Sequence, residues 1–219
     1  MISNTIQRLH HKIVISPSPS FLIYLLRGVL YILSLPYSFI SFSRALFYKY
    51  KVFRIQHVSK PVISVGNVSV GGTGKTPFCI ELIQLCIKHQ LLPAIVSRGY
   101  GDDEQKVYQN RFPHIPMAFT ANRVNACNSL LKNEPKISLF ILDDAFQHQK
   151  IHRDLNLLLV NALDPFGQGY CLPRGYLRES LKAFNRASVI ILTRADEVNG
   201  EDKDKIKKYE KFTVIKPIE

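Results

Sequence analysis

No C-x-x-C pair occurs in this chain; its four cysteines, Cys79, Cys86, Cys127 and Cys171, stand apart. Zinc-finger spacing is therefore absent, and so are an RNP-type aromatic motif and an evident recognition helix, which leaves little for nucleic-acid reading. Cys79 and Cys86 lie on one face of a predicted helix, the placement of core residues in a reducing compartment. Internal repeats and low-complexity tracts are missing as well. Acid is scarce: 17 Asp and Glu stand against 29 Lys and Arg, a formal net charge of +12. That surplus calls for a polyanionic partner, and with nucleic acid disfavoured a phosphorylated substrate or an anionic bilayer remains. At 219 residues the chain fits one α/β domain with a large core plus an appendage better than two small domains.

What is present is concentrated between Pro61 and Pro77. An apolar run from Val62 to Val65 predicts a buried strand, a glycine-rich turn follows, and Lys75-Thr76 leads into a helix expected over Phe78 to about His89. This is the order of a phosphate-binding loop. Gly71, Gly72, Thr73 and Gly74 form the candidate cradle, because glycines permit backbone angles that turn successive N–H groups toward phosphate oxygens. Lys75 suits the β and γ phosphates and Thr76 a Mg²⁺ ligand, with the helix N-terminus adding partial positive charge. The pattern departs from G-x-x-x-x-G-K-[ST] at one position, where Ser69 replaces the first glycine.

The N-terminal twenty residues are polar and basic and end at Ser16-Pro-Ser-Pro19. The longest apolar stretch follows, from Phe21 to Tyr48. Along it Arg27, Tyr31, Ser34, Ser38, Ser41, Arg44 and Tyr48 recur at alternating steps of four and three, one polar stripe on an otherwise apolar helix. An interfacial helix accounts for that stripe better than a spanning one: Pro36 is expected to kink it, and an arginine at mid-bilayer costs about 2.5–3.5 kcal/mol on insertion scales. Lys49, Lys51, Arg54 and Lys60 come next, a basic cluster suited to anionic headgroups. No small-residue cleavage site precedes the phosphate loop, which argues against a signal peptide.

Further strands are expected at Leu92–Ser97, Ile115–Thr120, Ile137–Leu142, Leu155–Asn161 and Ala187–Leu192, with a helix over Asn122–Lys132. The result is a P-loop NTPase-like α/β fold, a mostly parallel sheet flanked by helices. Its chemistry belongs at the carboxyl ends of the strands. There the sequence places Arg98, which suits phosphate, in a polar loop with Asp102, Asp103 and Glu104, any one of which suits a proton acceptor. The apolar strand ending in Asp143-Asp144 has the Walker B form for holding Mg²⁺. Gln147 and His148 follow it, positioned for a substrate group. The loop 164–179 is glycine-rich and brings Arg174, Arg178 and Glu179 to the same edge. Thr193-Arg-Ala-Asp196 loosely matches a guanine-reading element. The charged tail 201–211 predicts a solvated helix, and 212–215 an edge strand.

Taken together these segments resemble the tetraacyldisaccharide 4′-kinase family, the membrane-associated lipid A kinases. The resemblance rests on Val65-Gly-Asn-Val-Ser-Val-Gly-Gly-Thr-Gly-Lys-Thr-Pro77, Ser97-Arg-Gly-Tyr-Gly101, Leu142-Asp-Asp-Ala-Phe-Gln-His148 with Arg153-Asp154, and Phe166-Gly-Gln-Gly169 running to Leu172-Pro-Arg-Gly-Tyr-Leu-Arg-Glu179. It implies transfer of the ATP γ-phosphate to the 4′-hydroxyl of a tetraacylated disaccharide 1-phosphate, at the cytoplasmic face of the bacterial inner membrane. Anionic lipids of that membrane would be neighbours, and the oligomeric state is left open. By that resemblance Lys75 and Thr76 bind the Mg²⁺ triphosphate, Asp143 and Asp144 hold the metal, and Gln147, His148, Arg178 and Glu179 line the site. The family's Gly-Asp-Glu-Pro element supplies a base, and its counterpart in Gly101-Asp-Asp-Glu104 implies Asp103 ahead of Asp102. Residues 1–48 would be a basic segment and membrane helix, and 49–219 a kinase core without the family's C-terminal portion. Two alternatives use the same residues: a P-loop GTPase or ATPase of the metallochaperone kind, and a catalytically impaired membrane-bound nucleotide-binding protein.

Overall fold

The computed structural model describes residues 2–17, 19–99, 102–197 and 212–214. Two helices come first, α1 (Ile2–Ile15) and α2 (Phe21–Lys49), followed by β1 (Val62–Gly66) and α3 (Lys75–Lys88). Next come β2 (Pro93–Ser97), α4 (Asp102–Arg111), β3 (Met117–Phe119), α5 (Arg123–Asn133) and β4 (Leu139–Leu142). The chain then runs through β5 (Leu155–Asn161), β6 (Val189–Thr193) and β7 (Phe212–Val214). The strands form a seven-stranded sheet in the order β3-β2-β4-β1-β5-β6-β7, with every ladder parallel. β1 is central, and from it the chain first builds one half of the sheet and later the other. Crevices at the carboxyl ends beside such a strand are where open α/β sheets bind ligands.

Strands covered on both faces read as unbroken apolar runs, and β4 is buried at all four positions, Leu139-Phe-Ile-Leu142. Alternation sorts their side chains. Ile95 and Ile141 pack with Cys79, Ile80, Ile83 and Cys86 of α3, while Ala94, Val96, Phe140 and Leu142 pack with Val124 and Cys127 of α5. Each such aliphatic or aromatic side chain contributes about 1.5–3 kcal/mol when fully buried. The four cysteines are buried and free, as the spacing predicts.

Two elements differ from expectation. The polar loop expected after Arg98 becomes the helix α4 at Asp102, and its sequence is polar apart from the adjacent pair Val107-Tyr108, so no apolar periodicity announces it. The N-terminal segment is also helical, as α1. The helix expected over 201–211 lies outside the described residues, whereas the edge strand after it is β7.

α2 is a continuous helix of 29 residues, long and apolar enough to cross a membrane by length and composition. Pro36 lies inside it, on an exposed position, and does not divide it. Its polar stripe faces the protein. Ser34 is buried, Ser38 and Ser41 are half-buried, and Arg27 donates to the carbonyls of Ile13 (2.8 Å), Val14 (3.2 Å) and Ser16 (2.8 Å), capping the C-terminal end of α1. The opposite face is left open, with Ile32, Phe39 and Ile40 among its exposed apolar residues and Phe39 at 70 %.

Candidate active site

The phosphate loop leaves β1 at Gly66, where a side chain has no room: a Cβ there would stand 2.7 Å from the Phe146 amide nitrogen. This close approach fixes the loop against the end of β4. Asn67, fully buried, donates through Nδ2 to Thr73 Oγ1 at 2.9 Å, and its carbonyl accepts from Gln147 Nε2 at 2.7 Å. Residues 68–70 are strapped from the other side. The Val70 amide donates to Tyr176 O and the Arg178 amide to Val68 O, both at 2.7 Å, with Ser69 opposite Leu177 in an antiparallel bridge. The bridge explains the missing glycine: extended backbone at Ser69 accepts any residue. The left-handed positions fall on Gly71 (φ 127°) and Gly74 (φ 72°), and nothing lies within 4 Å of a Cβ placed at Gly71 or Gly72, so the crest of the loop is open.

Lys75 and Thr76 begin α3 immediately after Gly74. The Lys75 ammonium lies 3.6 Å from Asp144 Oδ1, and Arg178 Nη1 lies 3.0 Å from both Asp144 oxygens. One carboxylate thus joins the phosphate loop, the end of β4 and the loop 164–179. Asp144 itself is left-handed, φ 46°, an uncommon conformation that aspartate tolerates better than most. Burial raises its pKa, but Lys75, Arg178 and Arg123 outweigh burial and hold it below the ordinary carboxylate value.

Asp143 is more deeply buried. Its Oδ2 accepts from the Tyr108 hydroxyl at 2.9 Å and its Oδ1 from the Asp144 amide at 2.7 Å. Burial dominates and lifts its pKa, opposed by the Tyr108 hydrogen bond and by Lys75. Glu104, in the first turn of α4, is also raised, by burial first and then by Asp143. The side chains of Asp102 and Asp103 lie outside the described residues, so of the three acids expected here Glu104 is the one placed near Asp143, Asp144 and Lys75.

Arg123 opens α5 and is 3 % exposed; its Nη2 donates to the carbonyls of Asp143 (2.7 Å) and Asp144 (2.9 Å), holding the turn that presents both acids. α2 holds the neighbouring segments. Tyr37 Oη and Ser41 Oγ donate to the Arg178 carbonyl at 3.1 and 3.4 Å, and Arg44 Nη2 donates to the Gln147 carbonyl at 3.0 Å. Between α2 and the strand ends lies a cavity of about 510 Å³ whose walls include Arg44, Arg98, Arg123, Asp144, His148 and Arg178. His148 has its Nε2 buried without a hydrogen-bond partner, and burial together with Arg123, Arg44, Arg153 and Lys150 pushes its pKa down to about 4, so the ring is neutral near pH 7. Glu179 is buried and paired with Arg186 Nη1 at 2.8 Å.

Lys75, Asp143, Asp144, Arg178 and Glu104 are therefore assembled at one sheet edge, with Arg98, Gln147, His148 and Glu179 on the adjoining walls. The segment 193–196 leads from β6 into a short 3-10 turn, Ala195–Glu197, where Arg194 Nε faces Glu197 Oε1 at 3.9 Å. Sequence reasoning missed Tyr108, Arg123, Tyr37 and Arg44 as site residues. An arginine opening a helix directly beyond a strand end was a usable signal for Arg123; α4 offered none for Tyr108. Among the described residues no three His, Cys, Asp or Glu side chains cluster as a metal site. Thr76, Asp143 and Asp144, the residues expected to hold Mg²⁺, carry oxygen donors alone, the atom type that ion takes.

Comparison with known proteins gives the family. The family model described as Tetraacyldisaccharide-1-P 4'-kinase matches residues 26–217. The curated tetraacyldisaccharide 4'-kinase of Geobacter metallireducens is 37 % identical over 192 residues, covering 78 % of this chain and 57 % of its own length. That of Flavobacterium johnsoniae is 34 % identical over 198 residues, covering 82 % and 58 %. The crystal structure of LpxK from Aquifex aeolicus in complex with ATP superposes with a TM-score of 0.72 at 34 % identity, covering 78 % of this chain and 60 % of that one. The chain spans somewhat more than half the length of the relatives it matches, and it belongs to the tetraacyldisaccharide 4′-kinase family.

Proposed function

We propose that this chain is the nucleotide-binding and acceptor-binding core of an ATP-dependent lipid kinase that transfers the γ-phosphate to the 4′-hydroxyl of a tetraacyldisaccharide 1-phosphate. The observation that carries the reading is Asp144, held at once by Lys75 of the phosphate loop and by Arg178 at the mouth of a basic cavity that α2 roofs. A triphosphate on the loop would receive the amides of residues 71–75 and the Lys75 ammonium, beside the wall of Arg98, Arg123 and Arg178. Mg²⁺ held by Thr76, Asp143 and Asp144 would neutralise the β and γ oxygens. Phosphoryl transfer asks the protein mainly for positioning and charge, and these residues supply both.

The acceptor hydroxyl must lose a proton. The first turn of α4 carries Asp102, Asp103 and Glu104, and we assign the base to this turn, with Asp103 first by family motif and Glu104 adjoining the carboxylate pair. His148, neutral and facing the cavity, serves as a hydrogen-bonding wall for the sugar. The exposed apolar face of α2 and the cations Lys49, Lys51 and Arg54 after it support residence on a membrane surface, on the side where ATP is available, the cytoplasmic face.

The test is a mass-spectrometric transfer assay with Mg-ATP and the disaccharide lipid in detergent mixed micelles, comparing wild type with Lys75→Ala. Transfer by wild type and its loss in the variant is the expected result. ATP binding with no transfer by wild type would instead favour the catalytically impaired nucleotide-binding protein.

A further inference from the structure

A second, larger cavity of about 730 Å³ lies between the C-terminal half of α2 and the 3-10 turn Leu181–Arg186. Phe42, Ala45 and Leu46 of α2 give it an apolar wall. Four cations, Lys49, Arg153, Lys182 and Arg186, face it against one carboxylate, Glu179. The two guanidinium groups bracket Phe146: Arg153 Nη1 donates to its carbonyl at 3.1 Å and Arg186 stacks over its ring at 4.9 Å. Arg186 already uses Glu179 at 2.8 Å, and its Nε and Nη2 are buried without hydrogen-bond partners. Burial first, and then Arg186, push the Arg153 pKa down to about 10, which records like charge held close in a poorly solvated place. Lys182 stands at the rim, 5.7 Å over the Phe42 ring.

Excess positive charge beside an apolar wall suits an occupant with both an anion and a hydrocarbon chain. Ser41, Gln149 and Glu179 wall both this cavity and the one at Asp144, so the two adjoin under α2. We propose that the second cavity takes the phosphate-bearing, acylated end of the acceptor lipid, with the phosphate against Arg153, Lys182 and Arg186, while the hydroxyl to be phosphorylated lies at Asp144. This inference rests on the lipid-kinase reading and adds to it where the far end of the substrate is gripped.

The experiment compares two acceptors in mixed micelles with Mg-ATP, the disaccharide lipid 1-phosphate and the same lipid with its phosphate removed, for wild type, Lys182→Glu and Arg153→Gln. Equilibrium binding of each lipid is measured without nucleotide, and thermal melts check folding. Lys182→Glu is expected to raise KM for the phosphorylated acceptor by about tenfold or more, as loss of one charge-assisted contact does, with KM for ATP unchanged. With the dephosphorylated lipid the variant and wild type should coincide. Should both lipids be weakened equally, or neither, the cavity does not read the phosphate and the inference falls while the kinase reading stands. A wild type that neither binds nor phosphorylates either lipid overturns both. If Arg153→Gln fails to fold, the exposed Lys182→Glu decides alone.

Discussion

The Tyr108 hydroxyl donates to Asp143 Oδ2 across 2.9 Å, and through this bond a helix otherwise polar but for the exposed Val107 is anchored to the end of β4. Tyr108 is 0 % exposed, set among α3 and β4 side chains, while its helix carries the acids proposed as base in its first turn. The hydroxyl therefore sets where that turn stands relative to Asp143. Tyr108→Phe keeps the ring and removes the bond, worth about 1.5–3 kcal/mol to a charged acceptor. Turnover is expected to fall tenfold or more by that measure, with the Mg²⁺ dependence of nucleotide binding shifted and KM for the lipid unchanged. Tyr108→Ala should in addition lower stability by about 3–5 kcal/mol, visible in denaturant melts.

Asp144→Asn tests the shared carboxylate. Asparagine tolerates the left-handed backbone, so the turn survives while Lys75 and Arg178 lose their common anion. Metal-free nucleotide should bind more tightly than to wild type, since two cations are released toward phosphate, and the gain on adding Mg²⁺ should shrink or vanish. Titration of a fluorescent nucleotide with and without Mg²⁺ reads both effects; an undiminished Mg²⁺ gain would contradict the role given to Asp144.

Acid should weaken the fold through His148. Its pKa is depressed from 6.5 to about 4 in the folded protein. The unfolded chain therefore takes up a proton between those values that the folded chain refuses, and stability present in full above pH 6.5 is lost as pH falls toward 4. His148→Gln removes this slope. Denaturation midpoints of the two proteins, measured from pH 7 to 4, should diverge in steepness over that window; parallel curves would exclude the effect.

The outward face of α2 makes a separate prediction. Replacing Ile32 and Phe39, both well exposed, with aspartate places charge on that face without touching the stripe that meets the protein. Each costs about 2.5–3.5 kcal/mol if it enters hydrocarbon. Co-sedimentation with vesicles containing anionic lipid should drop sharply while nucleotide binding is retained. Unchanged sedimentation would mean the face does not enter lipid.

The parallel sheet was readable because strands covered on both faces are continuous apolar runs: Leu155–Asn161 appears with the expected bounds, and the Lys-Thr end of the phosphate loop, with Asp143-Asp144 beyond an apolar strand, disclosed the site. α4 was unreadable because Tyr108 is the one fully buried side chain among those described on it, too little to set a period. Arg123, Arg44 and Tyr37 were missed since they donate to main-chain carbonyls of Asp143, Asp144, Gln147 and Arg178, and a carbonyl leaves no trace in the residue pattern. On α2 the spacing revealed a polar stripe but could not say which side of it the protein occupies. Next to water the stripe would point outward; here it points in.

That inversion has an engineering consequence. A foreign hydrophobic anchor spliced in place of residues 21–49 would still deliver the chain to a bilayer, yet it would carry no hydroxyl for the Arg178 carbonyl and no guanidinium for that of Gln147. Tethering and competence would come apart: the chain would sit at the membrane with the walls of its cavity unsupported.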